Sequence, residues 1–256
     1  MKKYFSITML IMSPILAQCD WNYDGIIDVL DVVSTVSCIM DGCSIGVGET
    51  VTDIDGNVYI TIVINGQEWM AQNLKVTHYR NGDEIPTGFT DSEWGNLLSG
   101  AYADYNNNPS YSETFGKLYN WYAIDDSREI CPQDYHVPTD EDYMEIEIFL
   151  GMGQSEAENI GWRGSNQGGK LKESLYYHWY MPNEGATNVS NFTALPGGCR
   201  DGIYGEYDSV GLKCYLWTST SISSSSVYRF LHYSYSEINR NYTGKRNGYS
   251  VRCLKD

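Results

Sequence analysis

The chain has 256 residues, with 17 Lys and Arg against 33 Asp and Glu, a formal net charge of −16. A surface this acidic repels phosphate backbones, which excludes nucleic acid as a natural partner and favours hard cations. The length supports a self-sufficient core, and no stretch beyond the N-terminus approaches the roughly 18 apolar residues of a membrane-spanning helix.

Residues 1–17 read as a signal peptide. Lys2 and Lys3 form a basic start, Tyr4 to Ala17 an apolar run broken by Pro14, and Ala17 suits a cut after it. Without the two lysines, 15 basic residues face 33 acidic ones, or −18 for the mature chain. The expectation is a secreted or cell-surface protein. Its seven cysteines, Cys19, Cys38, Cys43, Cys131, Cys199, Cys214 and Cys253, then read as disulfide partners, since no CxxC spacing suggests a metal thiolate or redox site. Seven is odd. Leu16-Ala17-Gln18-Cys19 resembles a lipoprotein lipobox, and lipidation at Cys19 would leave six cysteines for three bridges. The plainer alternative is a secretory cut, with Cys19 bonded to Cys38 or Cys43.

Residues 20–31 read DWNYDGIIDVLD. With Asp20 at position 1 of a twelve-residue calcium loop, Asn22, Asp24, Asp28 and Asp31 fall on positions 3, 5, 9 and 12. Gly25 takes the sharp turn at position 6, and Ile26 offers its carbonyl at position 7. Alternate side chains thus converge on one Ca²⁺, a hard ion that takes six to eight oxygens. Val29 to Met40 follows with apolar residues at helical spacing. Loop and helix, residues 18–43, resemble one dockerin-type repeat, with a final Asp and no preceding helix. A full dockerin carries two repeats and this chain one, which argues against a cohesin-type partner.

Ser44 to Thr52 is polar and Gly-containing and reads as a linker, so the large domain is expected over 53–256. Val58 to Ile64 is β-branched and lies between Asp55-Gly56 and Asn65-Gly66, and Gln67 to Met70 starts a second strand, which predicts a hairpin. That hairpin accounts for Asp53 and Asp55 without a metal. Two helices are expected: Phe115 to Ile124, with Phe115, Leu118, Tyr119 and Tyr122 on one face, and Thr139 to Leu150, capped by Thr139 with Asp142 three residues on and stopped by Gly151. Residues 151–215 are rich in Gly and Asn and read as irregular. Val227 to Tyr235 alternates, and Gly248 to Leu254 closes the chain as β. Two helices, long loops and terminal strands give an α+β domain.

The strings NGQEWMAQNLKVTHYRNGDEIP (65–86), GAYADYNNNPSYSETFGKLYNWYAI (100–124), CPQDYHVPTDEDY (131–143), GGKLKES (168–174), GATNVSNFTALPGGCRDG (185–202), LWTST (216–220) and KRNGYSVRCLKD (245–256) resemble the Fibrobacter succinogenes major paralogous domain, over roughly residues 50–256. The resemblance implies a bacterial source and a divergent C-type-lectin-like fold. It also implies a Cys131–Cys253 bridge and a second clip, Cys199–Cys214.

Chemistry is less legible than binding. The four histidines, His78, His136, His178 and His232, fit no metal spacing and no nucleophile elbow, and His136 reads as a packed structural residue. Acidic pairs such as Asp125-Asp126 and Glu145/Glu147 read as solvated surface. The cysteine pair of formylglycine-generating enzymes, which share the lectin-like architecture, has no counterpart here. No catalytic constellation emerges, so the chain is not expected to be an enzyme. Twenty-two Tyr and seven Trp instead supply flat apolar faces with polar edges. Tyr177, Trp179, Tyr204 and Trp217 are the expected ligand-binding aromatics. The calcium-bridged sugar motif of lectins is not matched by Met181-Pro182-Asn183-Glu184 or Leu216-Trp217-Thr218. Glycan recognition would therefore rest on aromatic stacking. The expected function is a calcium-binding adhesion module for a glycan or cell-surface protein, in a polysaccharide-associated setting. The alternative is an assembly protein that docks through the calcium loop, with the large domain as spacer.

Overall fold

The computed structural model describes residues 45–256, within a compact unit that runs Ser44–Asp256. The expected signal peptide, the expected calcium loop Asp20–Asp31, and Cys19, Cys38 and Cys43 lie outside the described residues. Among the described residues no helix is long and apolar enough to cross a membrane.

The architecture is α+β. A five-stranded sheet opens the unit: β1 (Ile45–Thr52), β2 (Val58–Ile64) and β3 (Gln67–Met70) form an antiparallel meander. Asn65 and Gly66 both adopt positive φ (52° and 80°), as the expected Asn-Gly hairpin turn requires. Asp53 organises the turn before β2. Its carboxylate accepts the Asp55 and Asn57 amides and the Tyr59 hydroxyl at 2.6 Å.

Of the segment read as a linker, Ile45–Thr52 is β1. Gly48 reflects close packing and a bulge. A Cβ on Gly48 would lie 2.1 Å from Thr61 Oγ1, and the register against β2 shifts between Val47 and Thr50.

α1 (Asp91–Trp94) is followed by β4 (Tyr102–Ala103), α2 (Pro109–Phe115), β5 (Leu118–Tyr119) and α3 (Trp121–Ile124). The single helix expected over Phe115 to Ile124 is thus replaced by three short elements. Gly116, at φ 74°, ends α2 where a side chain would strike Asn73, its Cβ lying 2.6 Å from that residue's Cβ. The Asn120 side chain then accepts from Ala101 N and Ala123 N and starts α3 anew. Helical spacing here was a coincidence that tertiary pairing overrode.

β6 (Tyr135–His136) leads into α4 (Asp140–Phe149), the expected capped helix. Thr139 Oγ1 accepts from Asp142 N at 3.1 Å, and the Asp142 carboxylate accepts from Thr139 N at 2.7 Å. The irregular stretch carries α5 (Gln154–Ala157), β7 (Gly161–Arg163), α6 (Gln167–Leu171), β8 (Gly197–Arg200) and β9 (Tyr207–Val210). β10 (Lys213–Ile222), β11 (Ser225–His232) and β12 (Ile238–Gly244) form a meander, and β13 (Leu254–Lys255) returns to the first sheet. The five-stranded sheet is ordered β1-β2-β3-β13-β6 and the six-stranded sheet β7-β12-β11-β10-β8-β9.

The Cys131–Cys253 bridge is present, 122 residues apart in sequence, inside a cluster with Tyr59, Tyr119, Trp121 and Trp217. Closing a loop this long restricts the unfolded chain by about 4–5 kcal/mol in the chain-entropy account. The expected Cys199–Cys214 bridge is absent, and both thiols are free. Strand pleat explains it. Cys214 lies opposite Gly198 in the parallel β8–β10 pair, so Cys199, one residue on, points to the other face of the sheet. Burial pushes both thiols up to about 12, which leaves them unreactive.

A second cluster packs Ile62, Ile64 and Trp69 against Tyr143 and Ile146 of α4 and against Leu216, Leu231 and Ile238. Within it α4 meets the six-stranded sheet through charge. Arg229 donates to Glu147 at 2.6 Å and to Asp140 at 2.7 Å, Arg163 makes a two-pronged contact with Glu147 at 2.8 and 3.0 Å, and Arg240 reaches Asp140 at 2.9 Å. The surface role expected of Glu147 is therefore wrong: it is fully buried as the shared acceptor of two arginines. Burial favours the protonated form of Asp140, but Arg240 and Arg229 outweigh it and hold the carboxyl below its usual range. Such a group stabilises the fold above its unfolded pKa, near 3.9, and the contribution is lost as pH falls through the lower folded value. Glu147→Ala is expected to cost about 3–5 kcal/mol in urea denaturation by leaving two buried guanidiniums short of a counter-charge. A cost below about 1 kcal/mol would contradict this role.

Candidate functional site

Successive residues of a strand alternate faces, and the six-stranded sheet divides its two faces by chemistry. On β11, Val227, Arg229 and Leu231 are buried towards α4, while Tyr228, Phe230 and His232 point the other way and stay half-exposed. The register carries that second face across the sheet: Phe230 lies opposite Tyr215 on β10 and Asn239 on β12, and Asn239 opposite Trp162 on β7.

The rings form a continuous row. Trp162 stacks on Tyr235 with centroids 4.5 Å apart and planes 24° from parallel, and Trp162 meets Phe230 at 5.0 Å. Phe230 stacks on Tyr215 at 5.0 Å and 10°, and Tyr215 on Tyr249 at 4.7 Å and 12°. Four strands at ~4.8 Å spacing give the row a width of about 14 Å. Its outer end is open, with Trp162 39% and Tyr235 43% exposed, whereas at its inner end Trp217 and Tyr249 pass into the core.

Polar groups are set among the rings. The Asn239 side-chain oxygen is buried beneath them, with no protein donor among the described residues. Lys213 places its ammonium 5.7 Å from the Phe230 centroid. His232 differs from the other histidines. His78, His136 and His178 each face a carboxylate, from Asp55, Asp256 and Glu173, whereas His232 has none within ion-pair reach among the described residues. Burial, then Lys213 and Lys172, lower its pKa, so it is a neutral ring at pH 7. Its Nδ1 accepts from Ser234 N, which leaves Nε2–H as an outward donor.

The turn that presents Tyr235 is held from beneath. Lys172 is fully buried and donates Nζ to the carbonyls of Glu184, His232 and Tyr235 at 2.9, 3.1 and 2.9 Å. Burial draws its pKa down to about 8. The aromatic face is thus supported by a fixed scaffold, as a preorganised binding surface requires.

The aromatics expected from the sequence divide differently. Tyr177 and Tyr204 are exposed, at 60% and 71%, but neither packs against another ring. Trp179 and Trp217 are core residues, 1% and 0% exposed. Each satisfies its indole N–H internally at 2.9 Å, on the carbonyls of Ala194 and Tyr119 respectively, so neither offers a face to a ligand. The row itself, Trp162, Tyr235, Phe230 and Tyr215, is missed by reading Tyr density along the chain. The available signal was alternation: within 227–232, Tyr228, Phe230 and His232 share one parity and Val227, Arg229 and Leu231 the other, which separates a ring-bearing face from an aliphatic one. Among the described residues no group of three or more His, Cys, Asp or Glu is arranged to hold a metal ion.

Because Trp162 and Tyr235 are outside the core, Trp162→Ala and Tyr235→Ala are expected to change stability by less than about 1 kcal/mol. Trp179→Ala and Trp217→Ala are expected to cost about 3–5 kcal/mol. Denaturation midpoints check the contrast, and comparable losses for both pairs would remove the distinction.

A family model described as the Fibrobacter succinogenes major domain matches residues 62–255. No curated protein and no solved structure matches the chain.

Proposed function

We propose that this chain, which belongs to the Fibrobacter succinogenes major domain family, is an exported, calcium-binding protein whose divergent C-type-lectin-like domain holds a saccharide by aromatic stacking. The observation that carries the reading is the row Trp162–Tyr235–Phe230–Tyr215, flanked by His232 and Lys213. Sugar rings have apolar faces and hydroxyl edges. A strip of flat rings bordered by the His232 ring and the Lys213 ammonium complements both. Tyr and Trp also lose little rotamer freedom on binding.

Export is supported by the basic and apolar start of the chain and by the Cys131–Cys253 bridge, a chemistry of oxidising compartments. The same bridge, between the segment ahead of α4 and the last strand, supports the lectin-like reading. Calcium uptake rests on the oxygen spacing of Asp20, Asn22, Asp24, Asp28 and Asp31, with the Ile26 carbonyl. The two functions use different residues, so saccharide affinity is expected to survive chelation.

A glycan array followed by calorimetry tests the stacking site. Trp162→Ala is expected to weaken the selected glycan at least tenfold, about 1.4 kcal/mol, and EDTA to leave it unchanged. An array without uncharged glycans among its hits, or uncharged hits that are all indifferent to Trp162→Ala, would reject the site. Calcium is tested separately: millimolar Ca²⁺ is expected to give binding heat that Asp24→Ala abolishes, and its absence from the native chain would reject the loop.

A further inference from the structure

At the Ser225 end of β11, roughly 20 Å along the strand from the His232 end, a cleft of about 390 Å³ opens between the residues after β12 and the loop after β8. Its walls include Tyr122, Asp201, Thr243, Lys245, Arg246 and Asn247. The cleft is built in. Gly202 N donates to Asn247 Oδ1 at 3.0 Å, and Asn247 Nδ2 donates to Thr243 Oγ1 at 2.9 Å and to the Gly244 carbonyl at 3.0 Å. The two loops approach so closely that a Cβ on Gly202 would lie 2.6 Å from Asn247 N. Backbone bonds between Arg200 and Gly248, at 2.9 and 2.8 Å, close the joint below.

Charge in this cleft runs against the net charge of the chain. In a chain of net charge −16, the cations Arg80, Lys117, Arg128, Arg163, Arg200, Arg229, Arg240 and Lys255 all pair with carboxylates. Lys75, Lys170, Lys172, Lys213, Arg252, Lys245 and Arg246 pair with none among the described residues, and of these Lys245 and Arg246 are adjacent, half-buried and share one cleft. Both are nonetheless positioned. The Lys245 ammonium sits 4.0 Å from the Trp121 ring centroid, and Arg246 Nε donates to the Leu97 carbonyl at 3.1 Å, which leaves the outer edge of the guanidinium to face a ligand. The facing Asp201 commits Oδ1 to the Ile203 and Tyr204 amides at 2.8 and 2.6 Å and keeps Oδ2 as an acceptor. A phosphate dianion would be repelled by that carboxylate. A ligand with one carboxylate and several hydroxyls satisfies both walls.

We propose that this cleft binds an acidic saccharide, its uronic carboxylate held by Lys245 and Arg246 and its hydroxyls by Asp201 and Thr243. The site shares no residue with the stacking row, so the two stand or fall separately.

The test is calorimetry of the full chain with a short oligogalacturonate, its neutral methyl ester and inorganic phosphate, at low and high salt. The oligogalacturonate is expected to bind and its affinity to fall with added salt. Arg246→Gln and Lys245→Gln are each expected to weaken it about tenfold, while Trp162→Ala leaves it unchanged. The ester and phosphate are expected to bind at least tenfold more weakly than the acid. Absence of oligogalacturonate binding, an ester bound as tightly as the acid, or phosphate bound as tightly as the acid would each overturn the assignment. The ester and salt comparisons use the native chain, so they decide the matter even if a variant fails to fold.

Discussion

Arg229 lies in the middle of β11 and is fully buried, with its guanidinium divided between Glu147 and Asp140 on α4. Arg163 from β7 and Arg240 from β12 converge on the same two carboxylates. Three strands are therefore fastened to one helix at fixed register. A one-residue slip of β11 would turn Arg229 outward and bury Phe230 against two carboxylates, a state with unpaired charge in the core. Buried ion pairs contribute little net stability compared with apolar packing, but they penalise alternatives severely. Here that specificity has a definite consequence: it settles which face of the six-stranded sheet is core.

Once one face is committed, pleat geometry commits the other. The residues between the charged and aliphatic positions of β11 are Tyr228, Phe230 and His232, and the neighbouring strands add Tyr215, Asn239 and Trp162. The first sheet, the disulfide and the core tryptophans cover the inner end of this face around Trp217 and Tyr249, but the outer end stays open. Lys172 then fixes the turn carrying Tyr235 to the loop at Glu184. The aromatic strip is thus a product of the same register that builds the core, and its rigidity comes from groups that touch no ligand.

Much of the local structure was legible because it rests on short-range chemistry. The Asn65-Gly66 hairpin and the Thr139 capping box follow from residues at fixed offsets, and both are present as read. What was not legible depends on long-range pairing. Phe115 to Ile124 has helical spacing, but Gly116 and Asn120 serve contacts with Asn73 and Ala101 that the sequence cannot display. Ser44 to Thr52 has the composition of a linker, yet Ile45–Thr52 has the pairing of an edge strand. Trp179 and Trp217 have the same amphipathic chemistry as Trp162. They differ only in what folds over them, so a reading by residue type chose two buried tryptophans. Cys199 and Cys214 fail as a bridge for a reason of the same kind, a one-residue difference in parity between parallel strands.

Indole N–H resonances provide the most direct test that the open aromatic face is the binding surface. Trp69, Trp121, Trp179 and Trp217 donate their indole N–H to protein acceptors, and Trp94 is fully buried, whereas Trp162 is the exposed ring on the row. In a titration with a bound glycan followed by proton–nitrogen NMR, the Trp162 indole signal is expected to move in proportion to saturation while those five stay in place. A Trp162 signal that remains fixed at saturation would contradict the account.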